Sequence, residues 1–279
     1  MAKLSYTNAL NWAFLVLKKA QQDPDIARYL LIEMLGWTPT QLSLRQQSEM
    51  PEQQWQQYQH YIEIATTGQP PQYILGKAWF YGRQFQVNEH TLIPRQDSEA
   101  MIAQILRDNV HGDLLELGTG SGALVLTLAL EHEYNRIVAT DISTGALRVA
   151  QENVRHYQQN IVLRQGDLFA PVATEQFDVI VFNPPYISEQ EKNIMDQSVL
   201  KYEPQKALFA SQDGLAFYQR IFKTMEHFLK PDGKIYLEFG FQQQAKISKM
   251  FHDLATGFQA EFFRDVANNP RFMRIQRKR

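Results

Sequence analysis

Apolar positions recur with helical spacing over the first part of the chain. One apolar stripe runs from Ala9 to Val16, and this spacing predicts an amphipathic helix. Asp23-Pro24 predicts a second helix start, with Asp as the cap and Pro at the first helical position, and Gly36 can end that helix. A third helix is predicted from Pro51 to Thr67. We therefore predict a helical domain over residues 1–70.

The helical period is lost after the chain breakers Gly68-Gln69-Pro70-Pro71. The stretch that follows is rich in aromatic and β-branched residues and has glycines where turns would fall, which predicts strands. We therefore predict a β-hairpin linker over residues 71–95. Trp79 and Phe80 are interpreted as the core of that hairpin, and the role of Phe85 is left open.

Beyond residue 96, short apolar runs alternate with amphipathic segments. The predicted strands are 113–117, 136–140, 161–165, 177–182, 233–239, 258–264 and 271–276, and the predicted helices lie near 97–109, 122–133, 143–158, 214–229 and 242–253. Such alternation is typical of a doubly wound α/β domain with a mostly parallel sheet. The last two strands have no helix between them, which predicts an antiparallel hairpin at the sheet edge. We therefore predict a Rossmann-like α/β domain over residues 96–279.

A glycine-rich loop follows the first strand of this domain. It reads Glu116-Leu117-Gly118-Thr119-Gly120-Ser121-Gly122. Glycines let the backbone turn sharply and let a ligand approach closely, and the N–H groups at a helix start attract anionic groups. The spacing is Gly-x-Gly-x-Gly, which differs from the Gly-x-Gly-x-x-Gly of dinucleotide sites. We interpret residues 116–122 as a loop that binds S-adenosylmethionine (SAM), with a tight turn that binds nothing as the alternative.

Acidic residues stand at the ends of three successive predicted strands. Glu116 suits the cationic amino group of SAM, and Asp141 can accept hydrogen bonds from both ribose hydroxyls. Asp167 would accept from the adenine amino group, with Leu168 and Phe169 as apolar walls. Ligands bind at the carboxyl ends of such strands. The alternative for Asp141 is a helix cap, but Ser143 can take that role and would leave the Asp141 carboxylate free.

The strongest motif is Asn183-Pro184-Pro185-Tyr186, which ends the predicted strand 177–182. The prolines stiffen the turn and bias Asn183 away from helix. The side-chain oxygen of Asn183 and the carbonyl of Pro184 can accept both hydrogens of one planar NH2 group. Tyr186 can cover a face of that group. This turn predicts methyl transfer to an amide or amino nitrogen, with a rigid loop without chemistry as the alternative.

Composition narrows the range of functions. The chain has 279 residues, a net charge of −2, no cysteine, and a 44% apolar fraction that is ordinary for a globular protein. The absence of cysteine excludes zinc sites built on cysteine and argues against methylation of cytosine at carbon 5, which uses a thiolate; we predict no metal. The N-terminus shows no signal pattern and no apolar run suits a membrane span, so we expect a cytoplasmic protein. The low net charge argues against the rival function, adenine-N6 methylation of DNA or RNA.

The chain resembles the HemK/PrmC-type family, the peptide chain release factor glutamine methyltransferases, over nearly its whole length. The resemblance lies in segments 71–76, 80–82, 92–95, 116–122, 141–150, 183–186, 203–204, 207–208 and 213–215. It implies a class I SAM-dependent methyltransferase fold and a helical N-terminal domain that recognises a release factor. It also implies methylation of the side-chain amide of the glutamine in a Gly-Gly-Gln loop. Asn183 and Pro184 would bind that amide, and Phe85 would line its pocket; we expect a monomer.

Two segments depart from the family pattern. Gln96-Asp97-Ser98-Glu99 stands where the family usually has Pro-Glu/Asp-Thr-Glu, and this segment follows Pro94-Arg95. Leu168 stands where some relatives carry a tryptophan near the adenine. We expect a weaker stacking wall at this position, shared with Phe169.

Overall fold

A computed structural model describes residues 4–278. The chain forms two compact units. The helical unit comprises the chain up to Lys77 together with Asp196–Tyr202, and the α/β unit comprises Ala78–Met195 together with Glu203–Arg279. The chain therefore leaves the α/β unit once, contributes one short segment to the helical unit, and returns.

The helices and strands are numbered in chain order. The α-helices are α1 (Tyr6–Lys19), α2 (Asp25–Leu35), α3 (Pro39–Arg45), α4 (Glu52–Ala65), α5 (Pro71–Leu75), α6 (Glu99–Asp108), α7 (Ala123–Glu131), α8 (Thr144–His156), α9 (Gln197–Tyr202), α10 (Gln205–Leu208), α11 (Ala216–Thr224) and α12 (Gln244–Leu254). The strands are β1 (Lys77–Phe80), β2 (Arg83–Gln86), β3 (Asp113–Leu117), β4 (Arg136–Asp141), β5 (Val162–Gln165), β6 (Phe177–Phe182), β7 (Leu229–Glu238), β8 (Phe258–Arg264) and β9 (Pro270–Arg277). Short 3-10 helices cover Gln96–Ser98, Ala170–Val172, Glu189–Ile194 and Met225–His227.

The helical unit packs α1, α2 and α4 around one core, as the apolar stripes predict. Leu17, Leu30 and Tyr58 are fully buried there. The Tyr58 hydroxyl donates to the carbonyl of Ala27 at 2.9 Å, which satisfies the one polar atom that this large side chain brings into the core. Gly36 ends α2 in the left-handed conformation, as predicted.

The start of α2 differs by one residue from the prediction. The helix begins at Asp25 with Pro24 in the cap position. The Asp23 carboxylate still accepts a hydrogen bond from the backbone N–H of Asp25 at 2.9 Å. The predicted side-chain acceptor is therefore present, but it lies one residue further from the helix.

The first part of the predicted linker is helical rather than extended. Residues Pro71–Leu75 form α5 because proline at the first helical position already has the required backbone angle, and Gly76 ends the helix with φ 70°. The hairpin is therefore limited to β1 and β2. In β1 the burial alternates, so that Phe80 is buried while Trp79 is 49% exposed. The interpretation of Trp79 as hairpin core was wrong, because neighbouring side chains of a strand point to opposite faces.

The α/β unit is built on a seven-stranded sheet of order β5-β4-β3-β6-β7-β9-β8. All neighbouring pairs are parallel up to β7, whereas β9 pairs antiparallel with both β7 and β8. The predicted mostly parallel sheet with an antiparallel edge is confirmed. Strand β7 begins earlier than predicted, because Leu229 already pairs with Phe177 before a register shift in β6.

Two hydrophobic clusters cover the two faces of this sheet. Alternate residues of one strand join different clusters: Ile180 and Phe182 pack with α11 and α12, whereas Val179 and Val181 pack with α6 and α7. Strands buried on both faces read as continuous apolar runs, which is why β3 and β6 could be located to the residue.

The strand order reverses direction between β3 and β6. From β3 the chain proceeds to β4 and β5 on one side and then returns to place β6 on the other side. The loops after β3 and β6 diverge there and leave a crevice at the carboxyl ends of the strands, where ligands of such folds bind. No helix within residues 4–278 is long and apolar enough to cross a membrane.

Candidate active site

The glycine loop after β3 turns back over the end of the sheet. Gly118, Gly120 and Gly122 all have positive φ, from 56° to 79°. The N–H of Thr119 donates to the carbonyl of Thr140 at 2.9 Å, which ties the loop to β4. A Cβ atom added at Gly120 would meet no atom of residues 4–278 within 4 Å, so the space beside the loop is open. The loop thus offers its backbone to a ligand, as the sequence predicts.

Asp141, the last residue of β4, braces this loop. One carboxylate oxygen accepts from the N–H of Gly120 at 2.9 Å and the other from the N–H of Ser143 at 2.8 Å. Ser143 caps α8 as predicted, with its hydroxyl accepting from the N–H of Ala146 at 3.2 Å. The expectation that this leaves the Asp141 carboxylate free was wrong, since both oxygens already accept backbone hydrogen bonds. Each oxygen still has a second lone pair.

Glu116 lies in β3 and is 3% exposed. Its carboxylate accepts a hydrogen bond from the Thr119 hydroxyl. The pKa of Glu116 is raised to about 8, chiefly by burial and to a smaller extent by the nearby Asp141 carboxylate, although hydrogen bonds from the Thr119 hydroxyl and the Val125 N–H act to lower it. Near neutral pH this carboxyl is therefore largely protonated until a cation approaches it.

The residues predicted for adenine are separated by the structure. Leu168 lines the cavity with φ 49°, and Asp167 lines it as well. The Asp167 carboxylate is 47% exposed and pairs with Arg220 at 2.6 Å. Phe169 instead stacks on Phe228 with ring centroids 4.1 Å apart and belongs to the core. The expectation that Phe169 forms a wall of the cavity was wrong, because its side chain packs behind the loop.

The acceptor turn begins directly after β6. Asn183 and Pro185 line the same cavity as Glu116 and Asp141. Asn183 donates from its side-chain nitrogen to the hydroxyl of Ser98 at 3.3 Å. Pro184 is not among the lining residues, and the role of its carbonyl stays a prediction.

Tyr186 was expected to cover the substrate group, but its side chain does not line the cavity. Its ring lies against Gly240, and burial raises the pKa of its hydroxyl. Its carbonyl accepts from the side chain of Gln243 at 2.7 Å, and Gly214 lies so close that a Cβ there would be 2.0 Å from this carbonyl oxygen. Tyr186 therefore anchors the turn through its backbone and its buried ring.

Phe85 is fully buried in the hydrophobic cluster with Phe80 and Tyr157, with its ring centroid 5.2 Å from that of Tyr157. The structure does not bring it to the cavity, because the alternation of β2 turns it toward α8. Phe85 is a core residue.

Several supporting residues were missed from the sequence. Asn153 in α8 is buried and joins the hairpin to the glycine loop: its side-chain nitrogen donates to the carbonyls of Gln86 at 3.0 Å and Ser121 at 2.9 Å. Glu203 is 4% exposed and pairs with Arg95 at 2.5 Å. Buried polar residues that hold loops give no local sequence signal, except that Glu203-Pro204 follows the family pattern.

Ser98 and Glu238 were also missed. Ser98 Oγ donates to Glu238 Oε2 at 2.5 Å, and both residues are buried. Glu238 ends β7, so a signal was present: an acidic residue at the carboxyl end of an apolar strand, the same pattern that identified Glu116 and Asp141.

These elements enclose a cavity of about 300 Å³ in the α/β unit. Of the predicted site residues, those that line it are Glu116, Gly118, Thr119, Gly120, Ser121, Asp141, Asp167, Leu168, Asn183 and Pro185. The carboxyl groups of Glu116, Asp141 and Asp167 and the amide of Asn183 line one cavity together with apolar side chains that include Leu124, Phe182 and Phe217. Such an arrangement can bind an elongated ligand with polar ends and hold a second polar group beside it.

Comparison with known proteins agrees with this architecture. The model of the methyltransferase small domain matches residues 96–202, and that of the PrmC N-terminal domain matches residues 8–76. The solved structure of a methyltransferase from Pyrococcus furiosus superposes with a TM-score of 0.52 at 18% identity, over 81% of this chain and 98% of that chain. This likeness shows the fold alone.

Relatives in sequence are more specific. The release factor glutamine methyltransferase of Enterococcus faecalis is 40% identical over 273 residues, which are 97% of this chain and 98% of the relative. The release factor glutamine methyltransferase of Bacillus subtilis is 34% identical over 272 residues, 94% of both chains. With this identity over almost the whole of both chains, the protein belongs to the family of release factor glutamine methyltransferases.

Proposed function

We propose that this protein transfers a methyl group from SAM to the side-chain amide nitrogen, N5, of the glutamine in the Gly-Gly-Gln loop of peptide chain release factors. The observation that carries the proposal is that Asn183 lines the same cavity as Glu116 and Asp141. A side chain that can hydrogen-bond a carboxamide thus lies in the same cavity as the carboxyl groups that suit SAM. The names of the relatives support the same substrate.

The donor set of the cavity suits SAM. Glu116 supplies a buried carboxyl for the ammonium group, and Asp141 keeps lone pairs for the ribose hydroxyls while it holds the loop. Gly120 leaves open space at the backbone, and Leu168 gives an apolar surface for the adenine ring. When bound, SAM supplies an electrophilic methyl group on a sulfonium centre.

Asn183 is assigned to the substrate amide. Its side-chain nitrogen is held by Ser98, so its oxygen is left to accept a hydrogen from the substrate NH2 group. The Pro184 carbonyl is assigned as the second acceptor. An amide nitrogen is a poor nucleophile because its lone pair is delocalised, and acceptors that hold both hydrogens can orient that lone pair. Orientation of this kind is worth up to about 7–11 kcal/mol. Acceptor dipoles also stabilise the positive charge that develops on nitrogen.

The other parts of the chain receive matching roles. We assign residues 1–70 to recognition of the release factor, residues 71–95 to the linker and residues 96–279 to catalysis. The match of residues 8–76 to the PrmC N-terminal domain supports the first assignment. The enzyme would act as a monomer in the cytoplasm, without nucleic acid as a substrate.

The test is a methylation assay with purified protein, labelled SAM and candidate release factors, followed by peptide mass mapping. We expect one methyl group on the glutamine of the Gly-Gly-Gln loop, and no label in a release factor whose loop glutamine is changed to alanine. A parallel reaction contains DNA and RNA. Label on adenine there, with none on the release factor, would replace the proposal by adenine-N6 methylation.

A further inference from the structure

Asn183 has to present its oxygen, and not its nitrogen, to an NH2 group. The two orientations of an asparagine side chain have nearly the same shape but opposite hydrogen-bonding character. Only the orientation with the oxygen toward the substrate can accept a hydrogen from it. The residues behind Asn183 therefore decide whether the acceptor turn works.

The sheet register places a carboxylate behind the turn. Phe182 of β6 pairs with Leu237 of β7, so the next residues along these parallel strands are Asn183 and Glu238. Ser98, at the start of α6, joins them: its Oγ lies 2.5 Å from Glu238 Oε2 and 3.3 Å from Asn183 Nδ2. Ser98 is 0% exposed and Glu238 is 1% exposed, so water does not compete for these bonds.

The donors and acceptors of this chain of bonds run in one direction. An ionised carboxylate only accepts, so the single hydroxyl hydrogen of Ser98 goes to Glu238. The Ser98 oxygen can then only accept from Asn183, which requires the nitrogen of that amide. Asn183 Oδ1 receives no hydrogen bond from the residues that the structure describes and stays available.

We propose that Ser98 and Glu238 are positioning residues for methyl transfer: they fix the orientation of the Asn183 amide so that its oxygen faces the substrate. This inference rests on the proposed function of the cavity. It adds that the orientation of the Asn183 amide depends on residues outside the acceptor turn, and that the enzyme is active when Glu238 is ionised.

Four charged or titratable residues from other elements lie near Glu238. Arg271 of β9 and Asp97 of the preceding 3-10 helix form an ion pair at 3.0 Å, Tyr186 lies after β6, and the Tyr218 hydroxyl of α11 donates to the Glu238 carbonyl at 2.8 Å. Burial raises the pKa of Glu238 to about 7, although Ser98, Arg271 and Asn183 lower it. When Glu238 is protonated it can donate to Ser98, and the direction of the bonds is no longer fixed.

The test compares variants at both positions. Glu238→Gln brings an NH2 group that can donate to Ser98, which allows the reversed order, so we expect kcat to fall by about 100-fold, as for loss of one oriented group at a transition state. Ser98→Ala removes the link and is expected to lower kcat by about tenfold, whereas Ser98→Thr keeps the hydroxyl and most of kcat. The KM for SAM should change by less than about twofold, because neither residue is assigned to the cofactor. The matched controls are Glu133→Gln and Ser248→Ala, which change exposed residues of the same types.

The pH profile separates positioning from a merely structural role. The wild-type kcat should rise with pH up to about 7 and then level off, and this step should vanish in Glu238→Gln. A Glu238→Gln variant with the wild-type kcat and pH profile would overturn the inference. Equal losses of kcat in Ser98→Ala and Ser98→Thr would also overturn the inference. These two variants test the positioning role even if Glu238→Gln does not fold. The wild-type enzyme is assayed first, and its inactivity on every release factor would overturn the proposed function itself together with this inference.

Discussion

Ser98 and Glu238 share a buried hydrogen bond of 2.5 Å between residues 140 positions apart in the chain. The bond joins the start of α6 to the end of β7, next to the turn that carries Asn183. A carboxylate without a partner would be costly to bury, so this bond and the neighbouring Arg271 are what make the position tolerable. The residues that we assign to orienting Asn183 should therefore also affect the free energy of unfolding.

Glu238 should make the protein less stable as the pH rises. Its pKa is about 7 in the folded state and about 4.3 in an unfolded chain, so between these values the folded state binds more protons and stability falls with increasing pH. Glu238→Gln lacks this ionisation. The free energy of unfolding of Glu238→Gln minus that of the wild type should therefore increase by up to about 3 kcal/mol when the pH is raised from 5 to 8. Urea unfolding at both pH values measures this, with Glu133→Gln as the control. An offset between Glu238→Gln and wild type that is the same at both pH values would contradict the prediction.

Binding of SAM should release a proton from Glu116. Burial holds the pKa of this carboxyl at about 8, and an approaching ammonium group favours the ionised form. Affinity should therefore rise with pH toward about 8, and calorimetry at pH 7 in buffers of different ionisation enthalpy should count up to about one proton released per SAM. Glu116→Gln should release none at this site. Equal proton release in the variant and in the wild type would show that Glu116 does not meet the ammonium group.

Asp141→Asn should weaken SAM binding before it affects anything else. The substituted NH2 group would face a backbone N–H of either Gly120 or Ser143, so one of these two backbone hydrogen bonds is lost together with the negative charge. We expect the binding free energy of SAM to weaken by about 1.5–3 kcal/mol, the usual size for hydrogen bonds to a charged group. Equilibrium binding measures this, with the exposed Asp253→Asn as the matched control. Unchanged affinity would remove Asp141 from the cofactor site.

Gly214→Ala should damage the acceptor turn. The new Cβ would lie 2.0 Å from the Tyr186 carbonyl oxygen and 2.6 Å from Gln243 Nε2, so the turn or the loop has to move. Gly82 has a similar positive φ, but a Cβ there meets no atom of the described residues within 4 Å. Gly82→Ala therefore isolates the cost of backbone strain, about 1–2 kcal/mol. We expect Gly214→Ala, and not Gly82→Ala, to lose turnover while SAM still binds. Similar turnover in the two variants would mean that contact with Tyr186 does not shape the site.

Much of the fold could be read from the sequence because its signals are local. The strands β3 and β6 were predicted with their observed bounds, since buried strands are apolar runs bounded by polar or glycine residues. The edge strand β8 was predicted with its observed bounds as well, because apolar Phe258, Ala260 and Phe262 alternate with polar residues. The alternation of strands and helices then fixed the sheet and its antiparallel edge. For the same reason the glycine loop, Asp141 and Asn183 could be placed at one edge of the sheet.

What the sequence could not show depends on contacts between distant residues. Phe85 and Phe169 turn into the core, because the packing of α8 and of Phe228, and not their own neighbours in the chain, decides where each ring goes. The Asp141 carboxylate was expected to have no partner within the protein. Its hydrogen bond from the N–H of Gly120 joins residues 21 positions apart, and the sequence does not show that contact. The pairing of Ser98 with Asn183 spans 85 residues and has no local pattern.

The account depends most directly on Asn183, so the decisive measurement is turnover and SAM affinity of Asn183→Ala, determined side by side with the wild type. Loss of the oxygen that holds the substrate NH2 group should lower turnover by at least about 100-fold, in line with the loss of one oriented group at a transition state. The dissociation constant for SAM should change by less than about threefold, because Glu116 and Asp141 keep their contacts. Turnover near the wild-type level, or an equal loss of turnover and affinity, would contradict the account.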